Sequence, residues 1–138
     1  MRFIAYLSFD GRCREAFEFY AKVLDGTIVD MIAHGDTPAG EHVSKDWQDK
    51  IINAYLKVGE AELMGADSPP EFGDATMQGV SISIQIGDEA RAERIFNAFA
   101  DGGTVTMPLE QTFWAKKFGM VKDRYGTSWM INCADGQK

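Results

Sequence analysis

The chain has 138 residues, 45% of them apolar and 25% charged, which describes a folded protein of one ordinary domain and excludes a disordered or membrane-embedded one. A net charge of −7 repels a phosphate backbone, and the 14 Lys and Arg residues are scattered rather than gathered into a stripe, so nucleic acid is excluded as a partner. Residues 1–9 are too short for the apolar core of a signal peptide and no later stretch approaches a membrane span, so a cytoplasmic address is expected, with Cys13 and Cys133 as reduced packing thiols.

The first predicted element is a strand, "YLSF" at 6–9, with Leu7 and Phe9 on one face. A helix follows, with Ala16, Phe19, Tyr20, Val23 and Leu24 at helical spacing. It stops at Asp25-Gly26, where glycine takes the left-handed conformation, and the strand "TIVDM" comes next. The polar stretch 34–50 is a loop long enough to be expected as a functional lid or mobile segment. "IINAYLKV" (51–58) and "AELMGAD" (61–67) then form a hairpin about Gly59-Glu60. Residues 68–79, "SPPEFGDATMQG", read as a connector.

The order then repeats. "SIQI" at 83–86 places Ile84 and Ile86 as Leu7 and Phe9 stand, 77 residues further on. Ala92, Ile95, Phe96, Phe99 and Ala100 make the second helix, Asp101-Gly102 its stop, and "TVTM" the strand after it. A closing hairpin joins 112–123 to 127–133 through residues 124–126. Insertions fall only in loops, which indicates duplication: module 1 over about 1–67 and module 2 over about 80–134, within one domain of 1–138.

The expected fold is α+β: two tandem strand-helix-three-strand modules whose curved mixed sheets enclose a cleft, with the helices on the outer faces. The period of two assigns the faces. Ile52, Ala54, Leu56 and Val58 go under the helix, so Asn53, Tyr55 and Lys57 look the other way, as do Ile4, Tyr6 and Ser8. Their second-module counterparts are Ser81, Ser83 and Gln85. In the last hairpin, Val121, Trp129 and Ile131 go under the helix, while Trp114, Lys116, Phe118 and Met120 face the cleft opposite Ser128, Met130 and Asn132.

"YLSFDGRCREAFEFY", "NAYLKVGEAELMGAD" and the closing "FGMVKDRYGTSWMIN" resemble the PhnB-like branch of the vicinal oxygen chelate superfamily, which also holds glyoxalase I, the bleomycin-resistance proteins and the extradiol dioxygenases. The likeness spans nearly the whole chain and is weakest over 34–50. It implies paired βαβββ modules and, as is frequent in the branch, a homodimer. In the superfamily's metal enzymes His and Glu on cleft-facing strand positions hold a divalent ion. Carried over by spacing, those positions fall on Ile4, Asn53, Ser81 and Met130. None supplies the imidazole, thiolate or carboxylate that zinc, nickel or iron requires, so neither metal nor other cofactor is expected. His34 and His42, beside Asp36 and Glu41, read as solvated loop histidines.

No GxSxG, P-loop, HExxH or GxGxxG is present, and the methyltransferase label sometimes attached to this branch finds no glycine-rich turn after a strand to support it. Asp67 reads as a turn residue, with a general base as the rival. Tyr6, Asn53 and Ser81 polarise a carbonyl or bind a carboxylate, or else are wall residues holding water. Tyr55, Trp114, Phe118, Met120 and Met130 form a polarisable lining suited to a planar small molecule, or else fill space or face a dimer partner. The resulting expectation is a metal-independent cleft binding an unidentified small organic molecule through Tyr6, Asn53, Tyr55, Ser81, Ser83, Trp114, Phe118, Met120, Met130 and Asn132. The alternatives are a metal-dependent lyase, isomerase or dioxygenase of the same superfamily, and a structural dimer without a ligand.

Overall fold

Alternating apolar and polar side chains set the strands of the first compact unit, Met1–Thr76, in a computed structural model that describes residues 1–135. The unit runs β1 (Ala5–Phe9), α1 (Cys13–Leu24), β2 (Thr27–Ala33), β3 (Ile51–Val58) and β4 (Ala61–Asp67). Its sheet has the order β1-β4-β3-β2, with β1 parallel to β4 and the other pairs antiparallel. Leu7, Phe9, Ala54, Leu56 and Leu63 are buried, and α1 lies chiefly over β3, with the Phe17 ring 6.1 Å from Phe9 and edge-on to it. Each large apolar side chain buried in this way stabilises the fold by roughly 1.5–3 kcal/mol.

Two details of α1 differ from expectation. Its buried stripe is Cys13, Ala16, Phe17, Tyr20 and Leu24, while Phe19 and Val23 are only half-buried. With seven apolar residues from 16 to 24, the apolar stripe is wider than the face one sheet can cover, so the flanking Phe19 and Val23 give way to Phe17. The left-handed residue at the helix end is Asp25, at φ 57° and ψ 48°, rather than Gly26. Gly26 is small for another reason: a Cβ there would stand 2.7 Å from Val58 Cγ2 and 2.8 Å from the Lys57 carbonyl oxygen.

Residues 34–50 are a closed, internally bonded loop containing three short 3-10 turns, rather than an open lid. Its neck is fastened by His34 N–H donating to Lys50 O at 2.8 Å and Gly35 N–H to Gln48 O at 2.7 Å. Gln48 Nε2 donates inward to the carbonyls of Gly40, Val43 and Ser44. His34 is therefore buried, at 5% exposure, donating through Nδ1 to Lys50 O at 3.0 Å with its ring edge-on to Trp47; only His42 is solvated.

The second unit begins at Met77 and repeats the plan as β5 (Ile82–Ile86), α2 (Glu89–Ala100), β6 (Thr104–Glu110), β7 (Lys117–Lys122) and β8 (Ser128–Cys133), with sheet order β5-β8-β7-β6. Only β5 and β8 run parallel. The Asp88 side chain caps α2 by accepting from Arg91 N–H at 3.1 Å. Trp129, as expected, packs beneath α2, stacked on Phe99 with centroids 4.4 Å apart and planes 16° from parallel, a pair worth about 0.5–1.5 kcal/mol beyond its area. The strand expected from 112 starts only at Lys117. Thr112 closes a turn first, its N–H donating to Ala115 O at 3.1 Å and its Oγ1 accepting from Ala115 N–H at 3.2 Å.

Candidate functional site

Each sheet carries its helix on one face, and most of the candidate side chains stand on the opposite one. In the first unit the register aligns Tyr6, Met64 and Tyr55 across β1, β4 and β3. The Tyr6 ring, 53% exposed, reaches over β4, and its hydroxyl donates to Asn53 Oδ1 at 3.0 Å on β3. Burial of that hydroxyl end, and secondarily the field of Cys13, raises the Tyr6 pKa.

Tyr55 belongs to a different cluster. Its hydroxyl donates to Glu62 of β4, a side chain 11% exposed that also meets Arg2 Nη1 at 3.4 Å. The hydrogen bond to Glu62 is the main cause of a raised Tyr55 pKa, followed by burial. Glu62 was not foreseen, although strand parity puts it opposite Leu63 and Asp67 and so away from the helix. In a charged-polar alternation it resembles any solvated strand residue, and only its phenol and guanidinium partners distinguish it.

In the second unit the helix-free face is laid out in two rows. Ser83, Met130, Met120 and Met107 align across β5, β8, β7 and β6, and Gln85, Asn132, Phe118 and Glu110 align beside them. Asn132 Nδ2 donates to Gln85 Oε1 at 2.7 Å, and Gln85 Nε2 donates to Ser83 Oγ at 2.7 Å. Trp114 stands in the turn before β7 rather than on the strand, yet its ring meets Phe118 edge-on at 5.2 Å. Phe118 is buried, Trp114 is 48% exposed, and Phe113 beside it is 97% exposed. Thr112, Phe113, Trp114, Lys116 and Asp135 line a shallow hollow of about 300 Å³. Lys116 is held there by Asp135 at 2.8 Å, whose hydrogen bond raises the lysine pKa. Ser81 is exposed just ahead of β5 and has no place in either row.

The four positions corresponding to the superfamily's metal ligands do not make a metal centre. Ile4 and Met130 offer a hydrocarbon and a thioether, Asn53 Oδ1 already accepts from Tyr6, and Ser81 lies off the strand. Zinc, nickel or iron would find no imidazole, thiolate or carboxylate among them. Among the described residues, no group of three or more His, Cys, Asp or Glu side chains could hold a metal ion.

Asp67 is neither a solvated turn residue nor an accessible base. It is 3% exposed, and its Oδ1 accepts from Gly11 N–H and Cys13 N–H, each at 2.9 Å, while Oδ2 accepts from Ile51 N–H at 2.8 Å. Asp123 works similarly in the second unit, accepting from Tyr125 N–H, Thr127 N–H and Trp129 Nε1–H. Both carboxylates were unforeseen as buried anchors, because a sequence does not distinguish an aspartate that turns the chain from one that ties three amides. Cys13 and Cys133 are free and buried thiols, and burial is the first cause pushing both pKa values up.

Comparison with known proteins agrees with this geometry. The family described as 3-demethylubiquinone-9 3-methyltransferase matches residues 1–132. The crystal structure of protein PA1353 from Pseudomonas aeruginosa is similar at 46% identity and a TM-score of 0.89, covering 97% of this chain and 98% of that one. The PhnB protein from Bacillus cereus is 25% identical with a TM-score of 0.81, over 97% of this chain and 100% of its own. The fosfomycin resistance protein FosX from Listeria monocytogenes shares the fold alone, at 10% identity and a TM-score of 0.66, over 99% of this chain and 94% of its own. With its duplicated βαβββ units, the chain belongs to the 3-demethylubiquinone-9 3-methyltransferase family, the PhnB-like branch of the vicinal oxygen chelate superfamily.

Proposed function

We propose that this protein binds a small planar organic molecule on a helix-free sheet face, without using a metal ion. The observation that carries the reading is the second unit's pair of rows. Met130 and Met120 make a polarisable surface beside the buried Phe118 ring, Trp114 stands half exposed at its margin, and Ser83, Gln85 and Asn132 supply polar groups beside it. Thioethers and aromatic edges favour a flat, polarisable ligand, and a few fixed polar atoms orient it. The quinone ring in the family's description is a ligand of that shape. Tyr6, Asn53 and Tyr55 offer a comparable, more polar face in the first unit.

Metal analysis of untagged protein purified without chelator is expected to give well under one zinc, nickel, manganese or iron per chain; a stoichiometric metal would overturn the reading. Titration with acetophenone as a planar probe, followed by protein NMR, is expected to shift the Met120 and Met130 amides and the Trp114 indole. Trp114→Ala should weaken that binding about 3- to 10-fold, the range for losing one aromatic contact. One observation favours a second reading, an acid–base enzyme: the Glu62 carboxylate shared by Tyr55 and Arg2. Glu62→Gln would abolish turnover under that reading and leave probe binding on the second unit untouched under the first.

A further inference from the structure

The hydrogen-bond chain beside the methionine row has a direction, and the direction determines what a ligand must offer. Amide side chains can be turned end for end, so Asn132, Gln85 and Ser83 admit two arrangements. In the arrangement observed, Asn132 Nδ2 donates to Gln85 and Gln85 Nε2 donates to Ser83 Oγ, leaving Asn132 Oδ1 buried without a partner. Turning both amides would reverse every bond and put the Asn132 NH2 group where the orphaned oxygen now sits. The turned Asn132 would bury an NH2 group with two unpaired donors in place of one unpaired acceptor oxygen, and orphaned buried N–H groups are the rarer case, so the direction shown is the more stable of the two.

Direction has a consequence at the open end of the chain. Ser83 Oγ accepts from Gln85, so its single proton must point elsewhere. Ser83 is exposed, and its register partner across the sheet is Met130. We infer that Ser83 is an outward-facing donor at the edge of the apolar surface, and that the ligand presents it with a hydrogen-bond acceptor, a carbonyl or carboxylate, on a planar body lying along Met130 and Met120. This rests on the proposed ligand-binding reading and narrows it, since the one Ser83 proton is left for an acceptor while one of the oxygen's two lone pairs is already taken by Gln85.

The test compares three probes of one ring size by protein NMR titration: acetophenone, which only accepts; phenol, which donates readily; and toluene, which does neither. Acetophenone is expected to bind about 3- to 10-fold more tightly than toluene, the worth of one hydrogen bond to a neutral group, with phenol gaining less. In Ser83→Ala the ratio of acetophenone to toluene affinity should fall to about onefold. Ser83 is exposed, so the variant is expected to fold. In Gln85→Leu, which frees the hydroxyl to turn, the preference should shrink but persist. Equal binding of all three probes, or a preference that survives Ser83→Ala, overturns the assignment of Ser83 and leaves the ligand-binding reading standing. Absence of binding by all three to folded protein overturns both.

Discussion

At Asp67 one carboxylate accepts from three backbone amides, drawn from the turn before α1, from α1 itself and from the start of β3. Bonds to a charged acceptor are among the stronger ones, and deleting the acceptor strands buried donors. Asp67→Ala is therefore expected to cost about 3–5 kcal/mol in urea unfolding, and Asp67→Asn about 1–3 kcal/mol, because one of its two ends then presents N–H to N–H. A cost below about 1 kcal/mol for the alanine variant would mean that the three amides find other partners. Tyr55 gives a different prediction. Its hydrogen bond to Glu62 favours the protonated phenol, so its folded pKa lies above the ordinary tyrosine value. The stabilisation is present in full below the unfolded-state pKa of about 10 and is lost as pH rises through the folded one. Alkaline titration followed at 295 nm should show late-ionising tyrosines, Tyr6 and Tyr55 among them, and Tyr55→Phe should remove one of these while leaving the Tyr6 contribution; normal ionisation of Tyr55 would remove the Glu62 bond as the cause.

Between elements, the contact of helix with sheet depends on one missing Cβ in each unit. At Gly119 an added Cβ would stand 2.7 Å from Phe96 Cε2 and 3.0 Å from the Leu109 Cα, and at Gly65 2.8 Å from Phe17 Cε1 and 2.9 Å from the Leu7 carbonyl oxygen. Part of each clash is with backbone, which cannot swing away. Gly119→Ala and Gly65→Ala are each expected to lower stability by about 1–3 kcal/mol, read as a fall in urea midpoint at unchanged slope. Gly65 pairs with Ala54, and Gly119 pairs with Ile131, so the small residue lies on a different central strand in each unit. Each unit thus makes space for an aromatic ring of its helix, Phe17 or Phe96, from a different strand.

What was legible in the sequence follows from the same physics. The bounds of β3 and β4 were readable because their alternation is clean and Gly59-Glu60 permits one hairpin. The start of β7 was not, because Phe113 and Trp114 carry an aromatic signal that imitates a strand while Thr112 bends the chain. Parity correctly put Trp129 under α2, and put Phe118, Met120, Met130 and Asn132 on one face. It gave no sign of Glu62, Asp67 or Asp123 as anchored carboxylates, since charge alone reads as solvation. Nor did it reveal the direction of the Ser83–Gln85–Asn132 chain, which depends on one buried oxygen.

Across the whole molecule, each unit carries one buried free thiol, Cys13 in the first and Cys133 in the second. Burial raises both pKa values, which suppresses the reactive thiolate. Native protein is expected to be inert to Ellman's reagent at neutral pH and to release two equivalents per chain in denaturing urea; pulsed alkylation with peptide mapping then reports each unit's opening separately. Rapid labelling of Cys13 in native protein would show that its burial is breached under native conditions.

The strand order β1-β4-β3-β2, repeated as β5-β8-β7-β6, also has a consequence for synthesis and truncation. In each unit the strand made first lies at the sheet edge, and its one hydrogen-bonded neighbour in the sheet is the strand made last. The opening strand of a unit therefore waits, unpaired, while the whole unit leaves the ribosome, and its long-range closure comes late. A stop codon before Ser128 would remove six strand residues and also leave Ile82–Ile86 without a partner, so two of four strands would be lost for the deletion of one.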